Sequence, residues 1–188
     1  MEIRFLIAED ASEWSRLRVE ALERDPAAFS SSVEEHQALP IEEIQKRLSA
    51  NPNSFIVGAF EERHLVGMAR FQREIGPKTR HKGRVWGVYG TASKRGQGLG
   101  RRLMRALLDR ATDIGGLEQV LLSVTSTQTE ALALYRSLGF ERFGTEPRAL
   151  NINGEFIAEY VLVLHRSEPM IEAKSRYHWK SAQKEKAP

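Results

Sequence analysis

Several features that often reveal a protein's class are missing from this sequence. None of its 188 residues is cysteine, which excludes disulfides, thiolate-bound metal and a thiol nucleophile. No apolar run approaches the roughly 20 residues that span a bilayer, and the opening stretch MEIRFLIAEDASEW lacks a basic region followed by a long apolar segment. No set of His, Asp and Glu has metal-ligand spacing, so we expect no metal. The lack of a spanning segment and of a leader-like start predicts a soluble cytoplasmic protein.

A strong charge imbalance is missing as well. The formal net charge is +3, and residues 165–188 hold six Lys or Arg and three Asp or Glu, leaving 22 of each in the rest of the chain. Because the body is balanced and no motif for reading RNA or DNA is present, nucleic-acid binding is the weakest functional interpretation. The length fits one domain, which we assign to residues 1–166, followed by a basic, partly mobile tail over 167–188.

The hydrophobic pattern predicts an α/β fold of the mixed (α+β) kind. Three consecutive strand-like runs, SFIVGAF, HLVGMARFQREI and GRVWGVYG, predict an antiparallel meander rather than a βαβ repeat. The full predicted order is strand, two helices, three strands, helix, strand, helix and two strands. The stretch PAAFSSSVEEHQALP has no regular period and is expected to be irregular, and FERFGTE is expected to form a short strand.

The stretch KRGQGLGRRL places three glycines, Gly96, Gly98 and Gly100, directly before a strongly amphipathic helical sequence. Each glycine costs about 0.5 to 1 kcal/mol against alanine inside a helix. Bare backbone there lets a ligand approach the main chain, and the free N–H groups of a helix's first turn bind phosphate. The stretch fits neither GxxxxGK[ST] nor GxGxxG, but it does fit Arg-x-x-Gly-x-Gly. We therefore predict an anion site at the start of this helix.

Two segments together carry a resemblance to a known family. RGQGLG at 95–100 and EALALYRSLGFERFG at 130–144, in this order and spacing, resemble the GNAT superfamily of acyl-CoA N-acyltransferases, and the resemblance extends over residues 3–164. It implies a mostly antiparallel central sheet of about seven strands, with helices on both faces and a fourth and fifth strand that splay apart. It also implies an acyltransferase, a monomer or homodimer, that moves an acetyl group from acetyl-CoA to a primary amine of a small molecule or peptide.

The resemblance also assigns roles to particular residues. The pyrophosphate of CoA would lie on the glycine stretch, the pantetheine arm would pair with the edge of the fourth strand, and Tyr135 would protonate the departing thiolate. The purely structural alternatives are a strand bulge or strand end at Gly87 and Gly90 and a core role for Tyr135. The residues expected to bind the cofactor are Val88, Tyr89, Gly90, Arg95, Gly96, Gln97, Gly98, Leu99, Gly100, Arg101 and Gln128.

The acceptor side is less well defined by the sequence. Phe29, Glu34 and Glu35 are the candidates for contact with the amine substrate, and a general base could be a side chain or water. The side chains considered for the base are Glu34, Glu35, His36, Glu74 and His81.

A second functional hypothesis is a non-catalytic acyl-CoA-binding or regulatory domain. The sequence lacks an evident base and departs from the family pattern at three positions. Gly90 stands where a β-branched residue is commoner, Ala92 where proline is frequent, and Gln128 where asparagine is frequent.

Overall fold

The computed structural model describes residues 1–49 and 51–166, so the predicted tail over 167–188 lies outside the described residues. Seven strands form one sheet in the order β1-β2-β3-β4-β5-β7-β6. The strands are β1 (Glu2–Phe5), β2 (Ser54–Glu61), β3 (His64–Arg73), β4 (Lys82–Gly90), β5 (Gln119–Thr125), β6 (Glu141–Ile152) and β7 (Glu155–His165). The helices are α1 (Ala11–Arg24), α2 (Val33–Gln37), α3 (Ile41–Leu48), α4 (Leu99–Thr112) and α5 (Thr129–Ser137).

The sheet is antiparallel except at one pair of neighbours. β4 and β5 run parallel, and their pairing is limited to Lys82–Arg84 against Gln119–Leu121. Beyond Arg84 the two strands diverge, while β4 stays paired with β3 as far as Gly90 and β5 stays paired with β7. The predicted mixed, mostly antiparallel sheet with a splayed fourth and fifth strand is therefore confirmed.

Helices cover both faces of the sheet, as expected. α4 and α5 pack on one face, where Phe71, Leu103 and Leu107 are fully buried. α1 and α3 pack on the other face around Leu17 and Met68. Adjacent residues of a strand point to opposite faces, so the central strands contribute to both cores. As a result, helices flank the opening between β4 and β5 on both faces of the sheet.

Two elements differ from the sequence expectation. The stretch predicted to be irregular contains α2, which begins with a capping box: the Glu35 N–H donates to Ser32 Oγ (3.2 Å), and the Ser32 N–H donates to Glu35 Oε2 (2.8 Å). This Ser-x-x-Glu signature satisfies two otherwise free donors and stabilises even a five-residue helix. β6 is a twelve-residue strand rather than a short one, because β7 pairs with it up to the turn at Asn153 and Gly154.

The described residues include no helix that is both long enough and apolar enough to cross a membrane.

Candidate active site

The divergence of β4 and β5 opens a cavity of about 840 Å³. Its walls come from both strands, from the start of α4, from α5 and from the segment that follows α1. The backbone groups of β4 beyond Arg84 have no partner strand on the β5 side. An unpaired strand edge inside a cavity is available to a ligand that carries amide groups.

A β-bulge shapes the β4 wall of this cavity. Met68 pairs with Tyr89 and Arg70 pairs with Trp86, so two residues of β4 stand opposite one residue of β3. Gly87, one of the two, has φ +64°, a left-handed conformation that glycine adopts easily. The bulge that the sequence suggested at Gly87 is thus present. It lies in the cavity wall, where it leaves backbone groups of β4 outside the regular ladder.

The start of α4 has the features of an anion site. Gly98 is the N-cap residue with φ +74°, and no side chain caps the helix. A Cβ added to Gly96 or Gly98 would meet no atom within 4 Å, so both glycines serve their positive φ and not tight packing. Gly100 differs, because its Cβ would lie 2.9 Å from a methyl carbon of Leu134 on α5. The first-turn N–H groups of α4 therefore remain available, and the positive end of the helix dipole favours an anion there.

Three cations border this glycine turn, but two of them already have carboxylate partners. Lys94 Nζ lies 2.7 Å from a carboxylate oxygen of Glu61, and Arg95 forms an ion pair with Asp25 at the end of α1. Arg101 instead donates to the Ser137 hydroxyl (2.7 Å). Since that partner is neutral, Arg101 keeps the most unbalanced charge of the three. It is the cation best suited to a phosphate.

Tyr135 belongs both to the core and to the cavity. The residue is 7% exposed, and its ring centroid lies 6.0 Å from that of Phe140. It also lines the cavity, and its hydroxyl forms no hydrogen bond within the described part of the chain. Burial raises the pKa of Tyr135 above the ordinary value for a phenol. The hydroxyl therefore stays protonated at neutral pH and can donate a proton or a hydrogen bond.

Glu159 on β7 lines the cavity, and the sequence analysis did not single it out. It stands opposite Thr125 in the β5–β7 register. Burial and the nearby Glu146 carboxylate raise the pKa of Glu159, while the Ser123 hydroxyl opposes part of that shift. A carboxylate with a raised pKa is a better proton acceptor than an ordinary glutamate. Its signal in the sequence is slight: one acidic residue inside the otherwise apolar run IAEYVLVL.

The segment after α1 forms another wall of the cavity. Phe29 lines the cavity, and its ring centroid lies 6.4 Å from that of Tyr89; its contact with an acceptor stays a prediction. The guanidinium of Arg18 lies over the Phe29 ring at 4.5 Å and also reaches the cavity. Arg18 is a second residue that sequence reasoning missed.

Most of the predicted cofactor residues meet in this cavity. Gln128, which lines it, precedes α5, and its side chain does not cap that helix. Gln97 is outside the lining, and its side-chain amide donates to the Ser93 carbonyl (2.9 Å). The predicted residues that line the cavity are Phe29, Val88, Tyr89, Gly90, Arg95, Gly96, Gly98, Leu99, Gly100, Arg101, Gln128 and Tyr135.

The side chains considered as a base do not line the cavity. Glu34 and Glu35 lie on α2, where Glu35 closes the capping box. His36 is buried within hydrogen-bond distance of the Ser15 hydroxyl (3.0 Å). Glu74 pairs with Arg84 (2.8 Å), and His81 lies outside the cavity as well. Within residues 1–49 and 51–166, no cluster of three or more His, Asp or Glu side chains could hold a metal ion.

Two curated proteins that are similar in sequence to this chain are N-acetyltransferases. Over 105 residues the chain is 39% identical to the N-alpha-acetyltransferase RimI of Mycobacterium tuberculosis, a match that covers 56% of this chain and 63% of the relative. Over 98 residues it is 33% identical to the human N-acetyltransferase 8, covering 52% of this chain and 42% of the relative. The chain thus spans less than two thirds of these relatives' length.

Solved structures share the whole fold. An acetyltransferase of the GNAT family from Streptococcus pneumoniae superimposes with a TM-score of 0.80 at 22% identity, over 88% of this chain and 99% of that chain. A Salmonella typhimurium structure that contains its cofactor acetyl-CoA superimposes with a TM-score of 0.72 at 20% identity, over 91% and 98%. Residues 14–140 match the acetyltransferase (GNAT) family. The chain belongs to that family.

Proposed function

We propose that this protein transfers an acetyl group from acetyl-CoA to a primary amine of a small molecule or peptide, by direct attack of the amine on the thioester. One observation carries the proposal: a single cavity brings together the uncapped start of α4, the unpaired edge of β4 and the hydroxyl-bearing side chain of Tyr135. The names of the mycobacterial and human relatives support N-acetylation. We expect the reaction to take place in the cytoplasm, with the protein as a monomer or homodimer.

The cavity offers complementary groups to each part of the donor. The pyrophosphate fits the first-turn N–H groups of α4, with Arg101 adding charge. The amides of the pantetheine arm can pair with the free edge of β4 over 88–90, as an added strand would. Gln128 also lines the cavity, and its side-chain amide could hydrogen-bond this arm.

The transfer requires one bond to form and one to break. Acetyl-CoA supplies a thioester whose carbonyl carbon accepts the amine nitrogen. The carbon–nitrogen bond forms as the carbon–sulfur bond breaks, and backbone N–H groups beside the Gly87 bulge stabilise the charge on the carbonyl oxygen. Glu159 takes the proton that the amine gives up, and Tyr135 gives a proton to the departing sulfur. The number of protons is therefore conserved.

A screen of primary amines with thiol release as the readout tests this proposal. At least one amine should raise thiol release above the rate with acetyl-CoA alone, and Tyr135→Phe should suppress that increase. Tight acetyl-CoA binding without turnover on a broad library would contradict acetyl transfer and favour the alternative of a non-catalytic acyl-CoA-binding domain.

A further inference from the structure

Arg18 combines partial burial, charge and an unused hydrogen-bond donor. One terminal nitrogen of its guanidinium donates to the Ser31 hydroxyl (2.6 Å). The other, Nη1, is shielded from water and has no hydrogen-bond partner among the described residues. None of the ion pairs within residues 1–49 and 51–166 involves Arg18. A partly buried charge without a carboxylate partner is costly, so a ligand that supplies one would be stabilising.

A second arginine increases the positive potential at this place. Arg70 on β3 lies with its guanidinium 5.3 Å from the Trp86 ring centroid, and its Nε has no hydrogen-bond partner in the described part of the chain. Burial and the charge of Arg70 lower the pKa of Arg18 to about 10. Arg47 also contributes to this field, but it forms an ion pair with Glu43 (3.3 Å). Arg18 and Arg70 thus form an uncompensated pair of cations.

Arg18 lies close to the Gly87 bulge, where we place the reaction centre. Arg18 and Gly87 both line the cavity, and a Cβ added to Gly87 would lie 3.9 Å from Arg18 Nη1. Gly87 therefore lies beside the unpartnered nitrogen. Glu159 lines the same cavity from β7. The acceptor side accordingly presents a cation on the α1 wall and a carboxylate on the β7 wall.

We infer that Arg18 binds a carboxylate of the acceptor, so that the substrate is an amine that carries a carboxylate, as an amino acid does. This inference rests on the proposed acetyl transfer and names its substrate class. The guanidinium is a planar donor that matches a carboxylate, and Phe29 supports it by stacking. The carboxylate would approach the guanidinium from the cavity, which Arg18 lines. Arg70, outside the cavity lining, adds to the positive potential at Arg18, and Glu159 would receive the proton of the amine from the β7 side.

Matched acceptors test the inference. The acceptors are a panel of α-amino acids, the carboxamides of the same amino acids, and dipeptides, whose carboxylate lies farther from the amine; thiol release is measured for each. The parent should prefer the free acids over the amides by about 10- to 100-fold in kcat/KM, the range for a hydrogen bond to a charged group. A preference for dipeptides would assign the carboxylate to a peptide rather than to a free amino acid.

Two variants distinguish carboxylate binding at Arg18 from the general effect of removing one positive charge. Arg18→Met should abolish the preference for the acid, mainly by raising KM for the acids. Arg105→Met removes the same charge from an exposed position on α4 outside the cavity, and should keep the preference. Because Arg18→Met removes a partly buried charge that has no carboxylate partner, its melting temperature should not fall below that of the parent.

Each other outcome has a distinct meaning. Equal turnover of acids and amides, or an unchanged preference in Arg18→Met, would overturn the carboxylate assignment and leave acetyl transfer intact. If no amine is turned over, acetyl transfer itself fails, and the carboxylate site is then judged by thermal shift with N-acetyl amino acids and N-acetyl amino acid amides. Stabilisation of the parent by the acids alone, lost in Arg18→Met, would support the site, and its absence would overturn it.

Discussion

Replacement of Gly98 by glutamate tests the anion site at the start of α4, and Gly154 provides a matched control. Both glycines have positive φ, +74° and +91°, and a Cβ on either would meet no atom within 4 Å. An L-residue in this conformation costs about 1 to 2 kcal/mol. For a chain of this length, 1 kcal/mol corresponds to about 2 to 4 °C in melting temperature. Gly98→Glu and Gly154→Glu should therefore each lower the melting temperature by about 2 to 8 °C.

Acetyl-CoA should separate these two variants. At a concentration of 100 times Kd, a ligand stabilises the folded state by about 2.7 kcal/mol, which corresponds to a rise of about 5 to 11 °C. The parent and Gly154→Glu should both show this rise, because Gly154 lies in the β6–β7 turn outside the cavity. Gly98→Glu should show almost none, since its side chain and negative charge would occupy the position proposed for the phosphates.

Differential scanning fluorimetry with and without acetyl-CoA measures both effects. An equal rise in Gly98→Glu and Gly154→Glu would show that the phosphates do not lie on the start of α4. A much larger loss of unliganded stability in one variant would instead refute the equal backbone cost assumed for the two glycines.

Three further substitutions address the chemistry and the fold. Tyr135→Phe should lower kcat by about 10²- to 10⁴-fold with little change in acetyl-CoA affinity. The loss of kcat should be smaller at high pH, where the thiolate leaves without help. An unchanged kcat would remove Tyr135 from the mechanism. Burial raises the pKa of Glu159, so kcat/KM of the parent should rise with pH as this carboxylate ionises. Glu159→Gln should not show this rise. An identical dependence of kcat/KM on pH in parent and variant would exclude Glu159 as the base. Arg166→Met should lower the melting temperature by about 3 to 12 °C, because Arg166 donates to three carbonyls at the end of α4 and beyond; an unchanged value would refute this capping role.

The sequence predicted most of the fold because its local patterns agree with the final structure. The apolar runs in SFIVGAF and HLVGMARFQREI do form β2 and β3, and the glycine stretch does precede α4. The sequence does contain a signal for α2, which we expected to be irregular, because Ser32 and Glu35 have the capping-box spacing. The length of β6 was harder to predict, since its pairing with β7 stabilises residues whose own pattern is weak.

The missed site residues depend on tertiary structure. Arg16 and Arg18 both lie on α1, but Arg16 pairs with Glu13 at the surface (3.1 Å), while Arg18 reaches the cavity. Nothing in the local sequence distinguishes them, because a helical arginine usually keeps its charge in water. Glu159 is likewise one side chain on a strand face. It becomes a candidate base only because β4 diverges from β5 beyond Arg84.

A single-turnover experiment with acetyl-CoA labelled in the acetyl group tests the central claim most directly. The protein is mixed with labelled acetyl-CoA and a carboxylate-bearing amine, and quenched samples are assayed for free thiol, labelled amine and labelled protein. Direct transfer predicts that labelled amine and free thiol appear at the same rate and in equal amounts, with no label on the protein. Free thiol without labelled amine, or label that passes through the protein, would contradict it.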